Sequence, residues 1–126
     1  MKRLWSAVAL LVLLLVASLI NAWYVQSLTE QMASRLEQAQ QLTREDQWDQ
    51  AKKITDQVQE DWQSHHFYFH TVMRHSDTDQ ILRSFGAVLQ YLELQEMDQY
   101  AAANADLVAQ LGLLAEMEQA SLVNVL

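Results

Sequence analysis

MKRLWSAVALLVLLLVASLINAWYV (residues 1–25) decides how the rest of the chain is read. No charged side chain occurs between Arg3 and Glu30. A bilayer core about 30 Å thick is crossed by roughly 20 helical residues, and Leu4–Val25 supplies that length. Ser6, Ser18 and Asn21 are its clearly polar residues, and a helix can return Ser hydroxyls to its own carbonyls. Trp5 at one end and Trp23-Tyr24 at the other match the aromatic belts found at headgroup level. Lys2 and Arg3 precede the run, so the positive-inside bias predicts a cytoplasmic N-terminus with residues 26–126 outside. A cleaved signal peptide is the rival reading, with a cut after Ala22 or Ser18. Ile20 and Val16 spoil the small-x-small pattern at those sites. The expected organisation is an anchor over residues 1–25 and an extracytoplasmic helical domain over 26–126.

That remainder is near the usual size of one small domain. The chain has no Pro, no Cys and only two Gly, Gly86 and Gly112. Scarce turn residues argue for long helices with short polar links. Without Cys there is no disulfide framework, thiolate zinc site or Cys nucleophile. All sixteen Asp and Glu lie beyond residue 25, against six Lys and Arg once Lys2 and Arg3 are set aside. A field of that sign repels nucleic acid and anionic headgroups, so no nucleic-acid partner is expected. Acids on exposed helix faces also simply keep a surface solvated.

Apolar periodicity divides residues 26–126 into four helices. The first stripe is Leu28, Met32, Leu36, Ala39 and Leu42, continuous with the anchor. A turn follows over residues 43–47, with Asp46 or Thr43 as N-cap. The second stripe starts at Trp48 and takes in Ala51, Ile54, Thr55, Val58, Trp62, His66, Phe69, Val72 and Met73. It predicts a helix of about 26 residues ending near His75. Ser76, Asp77 or Thr78 would cap the third helix, whose stripe is Ile81, Leu82, Phe85, Val88, Leu89 and Leu92. After a break at 95–98, with Asp98 as cap, the fourth carries Tyr100, Ala103, Leu107, Leu111, Leu114 and Leu122, with Glu118 on the same stripe. Short links favour antiparallel neighbours. The expected fold is all-α: an N-terminal transmembrane helix leading into an antiparallel four-helix up-down bundle. The first hairpin is weakly tetratricopeptide-like, without that repeat's Gly and Pro.

All four histidines lie between His65 and His75. His66 and His70 sit four apart, on one side of a helix, where two imidazoles and a carboxylate can chelate a divalent ion. Phe67 follows His66, so the zinc-protease pattern is absent. The plainer reading is histidines half-buried among aromatics. In a third, the second helix regains headgroup level near His65, about 17 residues after Trp48, and the histidines respond to pH there. Up-down topology would also gather His75, Asp77, Asp79, Glu118 and Asn124 at one pole. Glu118 on an apolar stripe needs a partner when buried, and His75 or Arg74 could supply it. No Ser-His-Asp arrangement or phosphate loop can be argued.

The chain resembles an uncharacterised family of small single-span bacterial membrane proteins, domain of unknown function 4363. The resemblance rests on Met1-Lys2-Arg3-Leu4-Trp5, on Asp46-Gln47-Trp48 with Ala51, on Trp62, on His75 with Asp77 and Asp79, and on the ending from Glu118 to Leu126. Asp46-Gln47-Trp48 departs from a Gly-Asp-Trp-like bend. The resemblance implies anchor-plus-helices architecture and a partner in the bilayer, and it supplies no catalytic residue. Two functions follow as expectations. The first is a non-catalytic, membrane-anchored interaction module, with Trp48, Trp62, His75, Asp79, Glu118 and Asn124 as structural or interaction residues and no cofactor. The second is a metal- or pH-responsive sensor built on His65–His75. The apolar ending Leu122–Leu126 could dock on the bundle or on a partner.

Overall fold

The computed structural model describes residues 1–65 and 75–125, and all their side chains except those of 75–78, 118, 119 and 121–125. Four helices account for them: α1 (Lys2–Arg44), α2 (Trp48–Ser64), α3 (His75–Leu94) and α4 (Met97–Val125). No strand occurs among the described residues. α1 is one unbroken helix of 43 residues, about 65 Å long at 1.5 Å per residue. The apolar run and the first bundle helix are therefore a single rod.

The core follows a strict alternation of three and four. On α1 the buried positions are Ala22, Val25, Thr29, Met32, Leu36, Ala39 and Thr43. On α2 they are Ala51, Thr55, Val58 and Trp62. Ile81, Phe85, Val88 and Leu92 continue the pattern on α3, and Tyr100, Asn104, Leu107, Leu111 and Leu114 on α4. A period of 3.5 residues keeps one seam facing a partner helix, as in coiled coils. The seam on α1 is rotated from the expected stripe: Thr29 and Thr43 are buried, while Leu28 and Leu42 pack at its edge. Threonine is cheap to bury here because its hydroxyl finds a carbonyl on its own helix. Thr29 Oγ1 donates to the Val25 carbonyl at 3.0 Å, Thr55 Oγ1 to Ala51 at 2.9 Å and Thr43 Oγ1 to Gln40 at 2.6 Å.

α1 packs on α2 and α4, and α3 packs on the same two helices. Among the described residues the backbones of the diagonal pairs stay apart, with no Cα atoms within 8 Å, and the Trp48 and Tyr100 rings meet across the α2–α4 diagonal. This closed ring of neighbours is an up-down bundle.

Both turns at the pole farthest from the apolar run, here the distal pole, are built alike. Asp46 and Gln95 adopt the left-handed conformation, with φ of 62° and 55°. The next backbone N–H reaches back five residues: Gln47 to the Leu42 carbonyl at 2.9 Å, and Glu96 to Tyr91 at 3.1 Å. These are Schellman closures, which satisfy the orphan carbonyls of a helix end and usually employ Gly. The expected caps are thereby corrected. Thr43 lies inside α1. Asp46 caps no helix, and its Oδ1 accepts a bond from Trp48 Nε1 at 3.1 Å. Asp98 falls in the first turn of α4, where its charge suits the helix dipole. Ser76, Asp77 and Thr78 fall within α3, whose first described residue is His75.

α2 ends at Ser64, about ten residues sooner than the expected helix to His75. Local bonds explain the stop. Ser64 Oγ donates to the Asp61 carbonyl at 2.8 Å, and His65 Nδ1 lies 2.8 Å from the same oxygen. Such side-chain bonds offer the backbone an alternative to another helical turn.

Candidate functional site

Side chains from Lys2 to Ile20 are exposed apart from the half-buried Leu15, and Ala22 is the first to enter the core. α1 is one helix long and apolar enough to cross a membrane. The end of the bundle next to this bare segment, the proximal pole, therefore carries the chain's most unusual surface. Trp23 is 69 % exposed and Tyr24 is partly exposed. The ring of His65, at the end of α2, lies tilted 6.3 Å from that of Tyr24. The second helix thus does return to the level of Tyr24 near His65, as its length required.

α1 and α4 run antiparallel in a register fixed by several contacts. Thr43 Oγ1 lies 3.7 Å from Met97 Sδ at the distal pole. Midway, Asn104 Nδ2 donates to the Leu36 carbonyl at 3.1 Å and to Gln40 Oε1 at 3.0 Å. Nearer the proximal pole, Gln26, Thr29 and Ala33 share a groove with Val108, Gly112 and Glu116. One step down α4 therefore matches one step up α1. The buried Asn104 Oδ1 has no partner. A lone buried amide in an apolar seam holds register at some cost in stability.

The groove between α1 and α4 is shallow because Ala33, Gly112 and Ala115 are small, and Glu30 and Glu116 stand at its rim. No atom lies within 4 Å of where a Cβ on Gly112 would sit. On its other flank α4 presents Leu113 and Met117 beside Gln80 and Ile81 of α3. A separate clasp joins α1 to α2: Arg35 contacts Asp61 at 2.6 Å and Gln57 at 2.9 Å. Periodicity missed this clasp, because Arg35 reads as a solvated charge.

Trp62 is fully buried in the core. Trp48 is half-buried and meets Tyr100 edge-on, with ring centroids 6.2 Å apart. Both tryptophans are thus packing residues. Burial pushes the Tyr100 phenol up to about 12, and its hydroxyl has no hydrogen-bond partner. Asp79 is half-buried on α3. His75 is the first described residue of α3, while Glu118 and Asn124 lie in the last turns of α4. The topology brings the start of α3 and the end of α4 to the proximal pole, as expected. The clasp between Glu118 and His75 or Arg74 lies outside the described side chains. So do His66 and His70. Among the described residues no three His, Asp or Glu side chains converge as metal ligands.

No curated protein and no solved structure matches the chain. A family model described as a domain of unknown function (DUF4363) matches residues 19–125, from the last turn of the apolar run to the end of α4, and the chain belongs to that uncharacterised family.

Proposed function

We propose that this chain is a single-span membrane protein that holds its acidic four-helix bundle outside the cytoplasm and acts by engaging a membrane partner, without catalysis. The observation that carries the reading is the continuity of α1. Its first twenty residues lie exposed except for the half-buried Leu15, while seven positions from Ala22 to Thr43 line the core. An unbroken helix fixes the bundle's height and rotation relative to the bilayer, which a flexible linker would leave free. A rigidly presented surface suits a partner that is itself held in the membrane. The groove at Ala33, Gly112 and Ala115 offers close approach to a helix of such a partner. Lys2 and Arg3 before the apolar run favour the cytoplasmic N-terminus.

The cysteine-free chain makes the test direct. An Asp49→Cys variant in intact cells should react with a membrane-impermeant maleimide, because Asp49 is exposed at the distal pole. Photo-crosslinkers at Ala33 and Ala115 should give one discrete membrane-protein adduct, and one at Lys53 should not. Protection of Asp49→Cys until the cells are lysed would reverse the topology. The same diffuse products from all three crosslinking positions would remove the partner.

A further inference from the structure

The far end of α4 carries an apolar surface whose height along the bundle identifies its occupant. Leu113 is 56 % exposed and Met117 38 %. Ala120 is exposed as well. Steps of four and three put these three on one stripe of the helix. Isolated exposed apolar residues on a soluble surface need no explanation, but this stripe is neither isolated nor randomly placed. Carried onward, the α1–α4 register puts Met117 about level with Val25 and Ala120 about level with Ala22. The last residues of α4 then fall alongside the bare apolar segment of α1. Glu118 is the last charged residue of the chain, and it comes level with Trp23 and Tyr24, which the membrane reading places among the headgroups. The sequence beyond it, Gln119-Ala120-Ser121-Leu122-Val123-Asn124-Val125-Leu126, is uncharged. Charged side chains thus give way to uncharged ones on α4 at the height where the aromatic belt sits on α1.

The geometry points to a second lipid contact: the proximal end of α4, from Met117 onward, is seated in the headgroup-to-acyl boundary of the outer leaflet. The contact rests on the reading of α1 as a membrane span. An apolar helix face laid into that boundary gains from the area it buries. The chain would then hold the bilayer at two places, through α1 and through the end of α4. Two contacts fix the tilt of the bundle, and the groove at Ala33 and Gly112 would face one direction in the membrane plane.

The test uses the full chain in phosphatidylcholine vesicles. Single cysteines replace Leu11, Asp49, Leu113, Met117 or Ala120, and each carries an environment-sensitive nitrobenzoxadiazole label. All five side chains are exposed, so the labels do not displace core packing. Nitroxide lipids with the spin at the headgroup or deep in the acyl chain report depth. Leu11 should be quenched by the deep nitroxide, and Asp49 by neither. Ala120 and Met117 should lose intensity to the shallow nitroxide with blue-shifted emission, Ala120 more than Met117, and Leu113 least. Leu11 embedded while Ala120 and Met117 behave like Asp49 would overturn the second contact and leave the span intact. Blue-shifted labels that no lipid nitroxide quenches would show the stripe covered by protein, which also overturns it. An unquenched Leu11 would remove the span, and the second contact with it.

Discussion

The two halves of α1 are one helix by backbone and two different objects by surface. From Leu4 to Ile20 the side chains are apolar on nearly every face and exposed, Leu15 alone being half-buried. From Ala22 to Thr43 a single seam is buried, and polar residues such as Glu30, Glu37 and Gln38 take the outside. A helix that is apolar all round needs an apolar solvent, whereas one with a narrow seam needs partner helices and water. Because no break separates the halves, the proposed membrane span would have to give way to water within about two turns, near Ala22–Thr29. Trp23 and Tyr24 stand in that interval.

The comparison breaks first where the bundle half is gutted. Trp62→Ala should cost about 3–5 kcal/mol of bundle stability, because Trp62 is wholly buried against the other helices. Thermal unfolding of the full chain in detergent would show a large fall in midpoint, with membrane association unchanged. In the other half, Leu11→Arg should cost about 2.5–3.5 kcal/mol at the centre of a span. The variant should be released by alkaline extraction while its bundle, produced in detergent, melts as before. If either substitution damaged both halves equally, they would not be separable in solvation.

Two finer changes probe the bundle half alone. The raised phenol of Tyr100 stays protonated in the fold after an unfolded Tyr has ionised. Its contribution is thus fully present below pH 10 and is lost as pH rises toward 12. The difference is on the order of a few kcal/mol. Tyr100→Phe should flatten that part of the stability–pH curve, as read by denaturant melts from pH 9 to 11.5. At the distal turn, Gln95 holds a left-handed conformation better suited to Gly. Gln95→Gly should stabilise by about 1 kcal/mol, seen as a higher midpoint. Least of all, Arg35→Ala should cost under about 1 kcal/mol, since Arg35 and Asp61 are 35 % and 52 % exposed. Salt should lower the parent's stability by a similar amount and leave the variant's unchanged.

The four helices were legible because Leu, Val, Ile and aromatic positions recur at helical spacing. Thr55 already stood on the second stripe, but a hydrophobic count could not see the rest of the polar seam. Thr29, Thr43 and Thr55 are buried because each hydroxyl returns to its own helix, and Asn104 because it bonds across to α1. The strict three-four alternation running from Ala22 to Thr43 was the available signal for the threonines. The early end of α2 depends on Ser64 and His65 competing for the Asp61 carbonyl, which periodicity does not register. Of the proposed site residues, Trp48 and Trp62 were legible as packing anchors. Asn104 and the α1–α4 groove came only from knowing which helices are neighbours and in what register. Gly112 lies inside α4, within the span of the fourth stripe, and lines the groove there.

The account stands on the change of surroundings along one unbroken helix. Nitroxide side chains placed singly from Trp5 to Gln40 of the full chain in lipid vesicles, with collision rates toward oxygen and a water-soluble nickel chelate, measure that change directly. High oxygen and low nickel access without periodicity should run to about Asn21, giving way by Thr29 to a 3.5-residue alternation of buried and water-exposed sites. An alternation that reaches back to Leu4, or a stretch of uniformly nickel-accessible positions between Asn21 and Met32, would contradict it.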